Sequence, residues 1–287
     1  MSSEKNSFEL AHPWGRHHLA EVGERLVRIG PVEIRMLARG DEILLASRER
    51  LRAHESGDAL AGGADPAPGT APVSGGGEPE PTWVRWATPD GERVVSFEPV
   101  FPDRPVVLEP EQPFYLLPGA RVRVYVRVPA WISVTLPLQK TPARSVRLRE
   151  IVPLPLSDTW WGTPEEGELA FWLNTTARRQ MSPELFAPHL VACPLVIRNR
   201  AASELRVEKL ALKVFHFSIF ARGQEFWSDE CHIEYLGEGD GSQIEMTGIP
   251  PEEAPEAVRV TLPRVPLRRG LRARTFGRLA VLSGLGG

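Results

Sequence analysis

Four acidic side chains, Asp158, Glu165, Glu166 and Glu168, share a short stretch of the chain with Trp160, Trp161 and Trp172. Carboxylates beside aromatic rings are the ingredients of a carbohydrate site, where one carboxyl acts as acid, another as base, and a ring face stacks on the sugar. Asp158, Trp160, Trp161 and Glu168 are therefore the candidate binding residues. The same stretch also reads as turn chemistry. Ser157-Asp158-Thr159 and Thr163-Pro164-Glu165-Glu166-Gly167 are segments whose side chains hydrogen-bond their own backbone, with Gly167 closing the turn. The turn reading is preferred, since spacing alone does not make two carboxylates converge, and no catalytic residue is assigned.

A second constellation would be metal-binding. His189 and Cys193 are four residues apart, and Cys231-His232 could complete a zinc quartet if two strands met. The usual Cys-x-x-Cys knuckles are absent, and Cys193 sits in the apolar run Leu-Val-Ala-Cys-Pro-Leu-Val-Ile, so no metal and no cofactor is expected. His216, between Phe215 and Phe217, reads as a strand residue, and His12, His17 and His18 as solvated.

The third is electrostatic. From Asp229 to Glu256 there are nine acidic residues and no Lys or Arg, and from Ala257 to Gly287 seven arginines and no acid. Such blocks are expected to pair with each other within the fold or across a dimer. The alternative leaves Arg268, Arg269, Arg272 and Arg274 exposed as an anion-binding patch. Nucleic acid is not an expected partner, because only Phe276 lies in the basic block to serve as a stacking platform. The net charge of -3 gives no general attraction to polyanions.

These residues must be positioned by strands. Arg121, Arg123, Tyr125 and Arg127 alternate with Val122, Val124, Val126 and Val128, a period of two that assigns the valines to a dry face and the arginines to a wet one. Similar signals recur at short intervals from Trp83 to Leu262, and Val32, Ile34 and Met36 alternate upstream of a turn at Gly40-Asp41. Leu205–Phe220 reads as one long strand, bent or bulged near Lys209. Helix candidates are short: Leu19–Val27, Glu42–Arg52, Pro183–Phe186 and Leu267–Phe276. The predicted fold is all-β, an antiparallel sandwich or two β lobes with a few short helices. Three units are expected: an N-terminal β-containing segment, 1–52, packed on the main domain; a Gly, Ala and Pro-rich linker or loop insertion, 53–82; and a main β-sandwich domain, 83–287.

Ser157, Asp158, Thr159, Trp160, Trp161 and Gly162, followed by Gly167, Glu168 and Leu169, resemble the pattern of a prokaryotic family, domain of unknown function number 432. The resemblance extends over most of the chain after Pro81, with the closing part at Leu267–Leu282. It implies a β-rich intracellular protein and supplies no catalytic residue.

The remaining constraints come from composition. The longest uncharged stretch, Leu185–Ile197, is broken by prolines and falls short of the roughly 20 apolar residues of a bilayer span. No signal core precedes it and only two cysteines are present, so a cytoplasmic location is expected. Together these readings favour a non-catalytic binding or assembly protein, its partner unidentified and a homo-oligomer admitted. One alternative is an enzyme acting on a small molecule or carbohydrate near Asp158–Glu168; another is anion binding by the C-terminal arginines.

Overall fold

The computed structural model describes residues 10–20, 23–49, 82–88, 93–110, 112–138, 145–237, 241–266, 271–273 and 275–276. The expected linker lies outside these apart from Thr82. The fold is all-β. Among the described residues there is no α-helix, only two single 3-10 turns, Pro183–Leu185 and Val214–His216.

Arg25–Ile29, Val32–Arg39, Glu42–Glu49 and Val84–Ala87 form an antiparallel meander, and its second hairpin closes on Gly40-Asp41, with Gly40 at φ 59°. Glycine reaches that conformation without the clash a β-carbon would bring. A second antiparallel sheet runs Gly15–His18, Val94–Val100, Trp131–Pro137, Ser145–Ile151. The third holds Ser157–Trp161, Glu168–Ala177, Val106–Pro110 and Leu210–Leu212, the middle pair parallel. In the largest sheet Leu190–Asn199 is flanked on one side by Arg121–Pro129 and on the other, in parallel, by Glu225–Ser228 and then Cys231–Gly237. Buried residues of the meander, Val27, Ile34 and Ile43 among them, share one hydrophobic cluster with Val124, Val126, Leu195 and Ile233 of the largest sheet.

Pro194 sits inside that central strand, where a missing N–H is tolerated only at an edge or a bulge. The ladder accommodates it. Tyr125, opposite Pro194, exchanges both backbone hydrogen bonds with Arg178 on its other side, at 2.7 and 2.9 Å. Position 194 therefore faces the Glu225–Gly237 side, and there the register slips: Val191 and Ala192 pair with Phe226 and Trp227, but Leu195 pairs with Cys231. One extra residue on the flanking strand makes a β-bulge around Ser228–Glu230.

Several expectations change. Val122, Val124, Val126 and Val128 are buried as predicted, but the arginine face is wet only at its start: Arg121 is exposed and Arg123 half-buried, whereas Tyr125 and Arg127 are buried, Arg127 to 2% exposure. The segment 247–257 lies over it, with Ala254 and Ala257 packing on Ala192, Phe220 and Trp227. Leu205–Phe220 is not one strand but Leu205–Val207, Leu210–Leu212, the 3-10 turn holding His216, and the start of Ile219–Arg222. The predicted helix at Glu42–Arg52 is the strand Glu42–Glu49, and Leu271–Ala273 is extended as well. The described residues of the expected Leu19–Val27 helix hold no helix, and its end lies in the strand Arg25–Ile29. Lastly, His17 is buried against Phe97, ring centroids 4.6 Å apart, and burial lowers its pKa to about 4.

Candidate functional site

The motif stretch folds as an antiparallel hairpin. Asp158 lies opposite Phe171, Trp160 opposite Leu169 and Trp161 opposite Glu168. Directly opposed residues share a face and successive residues alternate, so Asp158, Trp160, Leu169 and Phe171 occupy one face and Trp161, Glu168, Ala170 and Trp172 the other. The connecting turn is built by its glycines. Gly162 adopts φ 118°, and a β-carbon on Gly167 would stand 2.1 Å from the Trp160 indole nitrogen. The indole rests on the turn itself, donating from Nε1 to the Thr163 carbonyl at 2.9 Å, while the Thr163 hydroxyl accepts from the Glu166 N–H at 3.1 Å.

The two faces differ. Trp161 is 3% exposed in a small cluster with Val107, Ala170 and Ala211, with Trp172 at its border. Beside them Lys213 pairs with Glu168 at 2.8 Å, and the Lys209 ammonium stands 4.8 Å from the Trp172 ring centre while pairing with Glu109. On the opposite face Arg104 pairs with Asp158 at 3.0 Å and lies over Phe171. Trp160 and Leu169, a cross-strand pair, remain 40% and 43% exposed. The hairpin thus brings Trp160 beside Asp158 but separates Asp158 from Glu168, and the two carboxylates do not form an acid and base across one bond.

The densest charged network lies elsewhere and was not singled out from the sequence. Arg123 makes two 2.9 Å hydrogen bonds to the Glu253 carboxylate and pairs with Glu230 at 2.5 Å. The Tyr125 hydroxyl donates to Glu253, and the His232 ring meets Glu230. Burial opposes ionisation of Glu253, but the hydrogen bonds from Arg123 and Tyr125 outweigh it and hold the carboxyl below its usual range. A second clamp surrounds buried Glu33, which Arg28, Arg35 and Arg48 approach at 3.5, 3.1 and 2.9 Å. Each network is a carboxylate matched to arginine, arranged to hold chain segments together.

Asp229, in the bulge, differs because it is buried with backbone donors in place of a paired cation. It accepts from the N–H of Ser218 at 3.0 Å, and burial pushes its carboxyl up to about 6 despite that bond, a further bond from Gly248 and the Arg259 charge. A folded-state pKa above the ordinary 3.8 means that the folded protein takes up a proton first. Stability from this group is therefore present at low pH and lost as pH rises from about 4 through about 6. The shift corresponds to about 3 kcal/mol. Asp229→Asn should remove that loss, so the variant gains on the wild type between pH 4 and pH 7 in urea titrations. A constant difference across that range would show that Asp229 does not titrate there.

The remaining candidates are dispersed. Cys193 and Cys231 are free thiols buried in the core, and burial pushes both above their ordinary range. His232 lies on the opposite face with Glu230, and His189 packs on Gly30, where a β-carbon would come within 2.3 Å of its ring. Among the described residues no group of three or more His, Cys, Asp or Glu is placed to hold a metal. Among the described residues the acidic block's ion pairs are with arginines outside the basic block: Glu230 and Glu253 with Arg123, Glu234 with Arg200, Glu256 with Arg222. In turn Arg264 grips Glu150 through two bonds, and Arg259 donates to the Gly248 carbonyl. Arg268, Arg269 and Arg274 lie outside the described residues, and Arg272 is described only as backbone, opposite Gln243. No helix among the described residues is long and apolar enough to cross a membrane.

No curated protein and no solved structure matches the chain. The sequence model of the DUF432 family, proteins of unknown function, matches residues 13–281, a span that takes in the meander, all of the sheets and the hairpin turn. The chain belongs to the DUF432 family.

Proposed function

We propose that this chain is a non-catalytic binding or assembly protein whose contact surface is the outer face of the Ser157–Ala177 hairpin. One observation carries the reading: Trp160 is fixed on its own turn through Gly167 and Thr163 yet leaves 40% of its surface open beside Leu169. A rigid aromatic ring loses little conformational entropy on contact, which is why tryptophan dominates the energetics of interfaces. Arg104 and Asp158 border it as a neutralised polar edge. The geometry supports an enzyme less well, because Asp158 and Glu168 lie on opposite faces of the hairpin.

The test is a photo-crosslinking amino acid placed at position 160 in cells, with position 152, another exposed apolar site, as control. Position 160 should give discrete adducts and position 152 none. Equal, diffuse labelling at both positions would sink the proposal. The cost in stability separates recognition from folding: Trp160→Ala should cost about 1 kcal/mol or less, as for a partly exposed side chain.

A further inference from the structure

The hairpin also ends a sheet. Ser157–Trp161 is the outermost strand of its sheet, paired with Glu168–Ala177 on one side and, among the described residues, with no strand on the other. Ser157, Asp158 and Trp160 are exposed, so the row of N–H and C=O groups on that edge faces solvent. Most other outer strands carry arginine, which discourages pairing with a second chain: Arg16, Arg25 and Arg28, Arg85, Arg147 and Arg149, Arg206, Arg259 and Arg272. Of the two that do not, Leu210–Leu212 is capped by the hydrogen bond from Ala211 to Thr275 and Phe114–Leu116 has only three residues. Ser157–Trp161 carries neither Lys, Arg nor Pro. Its single charge, Asp158, is already neutralised by Arg104 at 3.0 Å.

We infer that this edge pairs with the same strand of a second copy, antiparallel and centred on Thr159, joining two four-stranded sheets into one across a two-fold axis. The inference rests on the hairpin being the contact surface and names its occupant. The register follows from the sequence. Centred on Thr159, Asp158 lies opposite Trp160 of the other copy and Ser157 opposite Trp161, so all five residues find partners. Arg104, held beside Asp158, then lies next to the facing Trp160, an arrangement that a guanidinium and an indole favour. Centring on Asp158 would set two carboxylates directly opposite each other, which destabilises a ladder. Centring on Trp160 would pair Asp158 with Gly162, whose φ of 118° leaves the strand. Such a short ladder buries less than the roughly 1,600 Å² of a standard interface, so the dimer should depend on concentration.

Because the axis passes through residue 159, that residue meets itself. Thr159→Lys and Thr159→Glu should each weaken self-association about fivefold in sedimentation, by opposing like charges, and an equimolar mixture should restore it as a heterodimer. Thr159→Cys gives an independent reading, since directly opposed residues of antiparallel strands lie about 4.5–5.5 Å apart and fall within disulfide range. On mild oxidation it should form a covalent dimer with itself, while Asp158→Cys should not. A wild type that stays monomeric at its solubility limit, or a dimer indifferent to Thr159→Lys, overturns the inference. If position 160 then crosslinks to a different polypeptide, the proposed function survives with another occupant; if it crosslinks to nothing, both fall.

Discussion

Trp161→Ala is expected to destabilise the protein by about 3–5 kcal/mol, the range for removing a fully buried tryptophan. The indole is 3% exposed against Val107, Ala170 and Ala211, small or β-branched residues of three neighbouring strands that cannot move in to fill the space. Its loss should also free the Glu168–Lys213 pair and the Lys209 contact at Trp172, which border the same cluster. Urea unfolding followed by far-ultraviolet circular dichroism measures the effect. The adjacent Trp160→Ala serves as the comparison, and similar costs at both positions would contradict the assignment of the two rings to opposite faces.

Arg123→Ala is expected to cost about 3 kcal/mol, because it leaves Glu230 and Glu253 without their shared cation, and breaking one side of a partly buried ion pair costs more than the pair is worth. Its pH dependence identifies the mechanism. With its carboxyl held below the ordinary 4.5, Glu253 contributes stability that is fully present above that value and lost as pH falls through the lowered folded-state pKa. In Arg123→Ala this acid-side loss should shrink, so the two proteins converge in stability as the medium becomes acidic. Arg123→Met with Glu253→Leu should recover part of the loss by replacing the pair with apolar contact. An Arg123→Ala variant within 0.5 kcal/mol of wild type, a figure on the order of ordinary surface substitutions, would show that segment 247–257 is held without the Arg123 network.

How legible these features were depends on how local their causes are. The period-two pattern of Val122–Val128 needs only the strand itself, and its valines are buried as read. The fate of the arginine side was set by Glu253, Ala254 and Ala257, far along the chain in a segment with no periodicity. Glu42–Glu49 resembled a helix because Leu44 and Leu45 are both buried, and a strand covered on both faces loses its alternation. Leu205–Phe220 broke where polar residues interrupt the apolar spacing, at Glu208-Lys209 and again at Lys213. For the hairpin, the turn chemistry of Thr163 and Gly167 was readable, as was the special place of the motif. Which tryptophan is buried was not, since alternation fixes that two adjacent residues differ but not which side the neighbouring sheet occupies. The Arg123 network escaped notice because its members come from two separate strands, the bulge and a loop.

The slip opposite Pro194 acts as a parity switch. Before it, even-numbered Phe226 enters the main core and Trp227 faces the opposite side of the sheet, buried under Ala254 and Ala257; after it, odd-numbered Cys231, Ile233 and Tyr235 enter the main core and His232 and Glu234 take the opposite side. Between Phe226 and Cys231 the chain length is consequently tied to the bulge: the present count needs it, and one residue fewer would close it. Losing one residue there would remove the bulge and keep every inward and outward assignment, but would take from Pro194 the irregularity that accommodates it, whereas losing two would turn His232 and Glu234 inward and three core side chains outward together. Change in this region of the chain is therefore constrained first by the count of residues and only then by their identity.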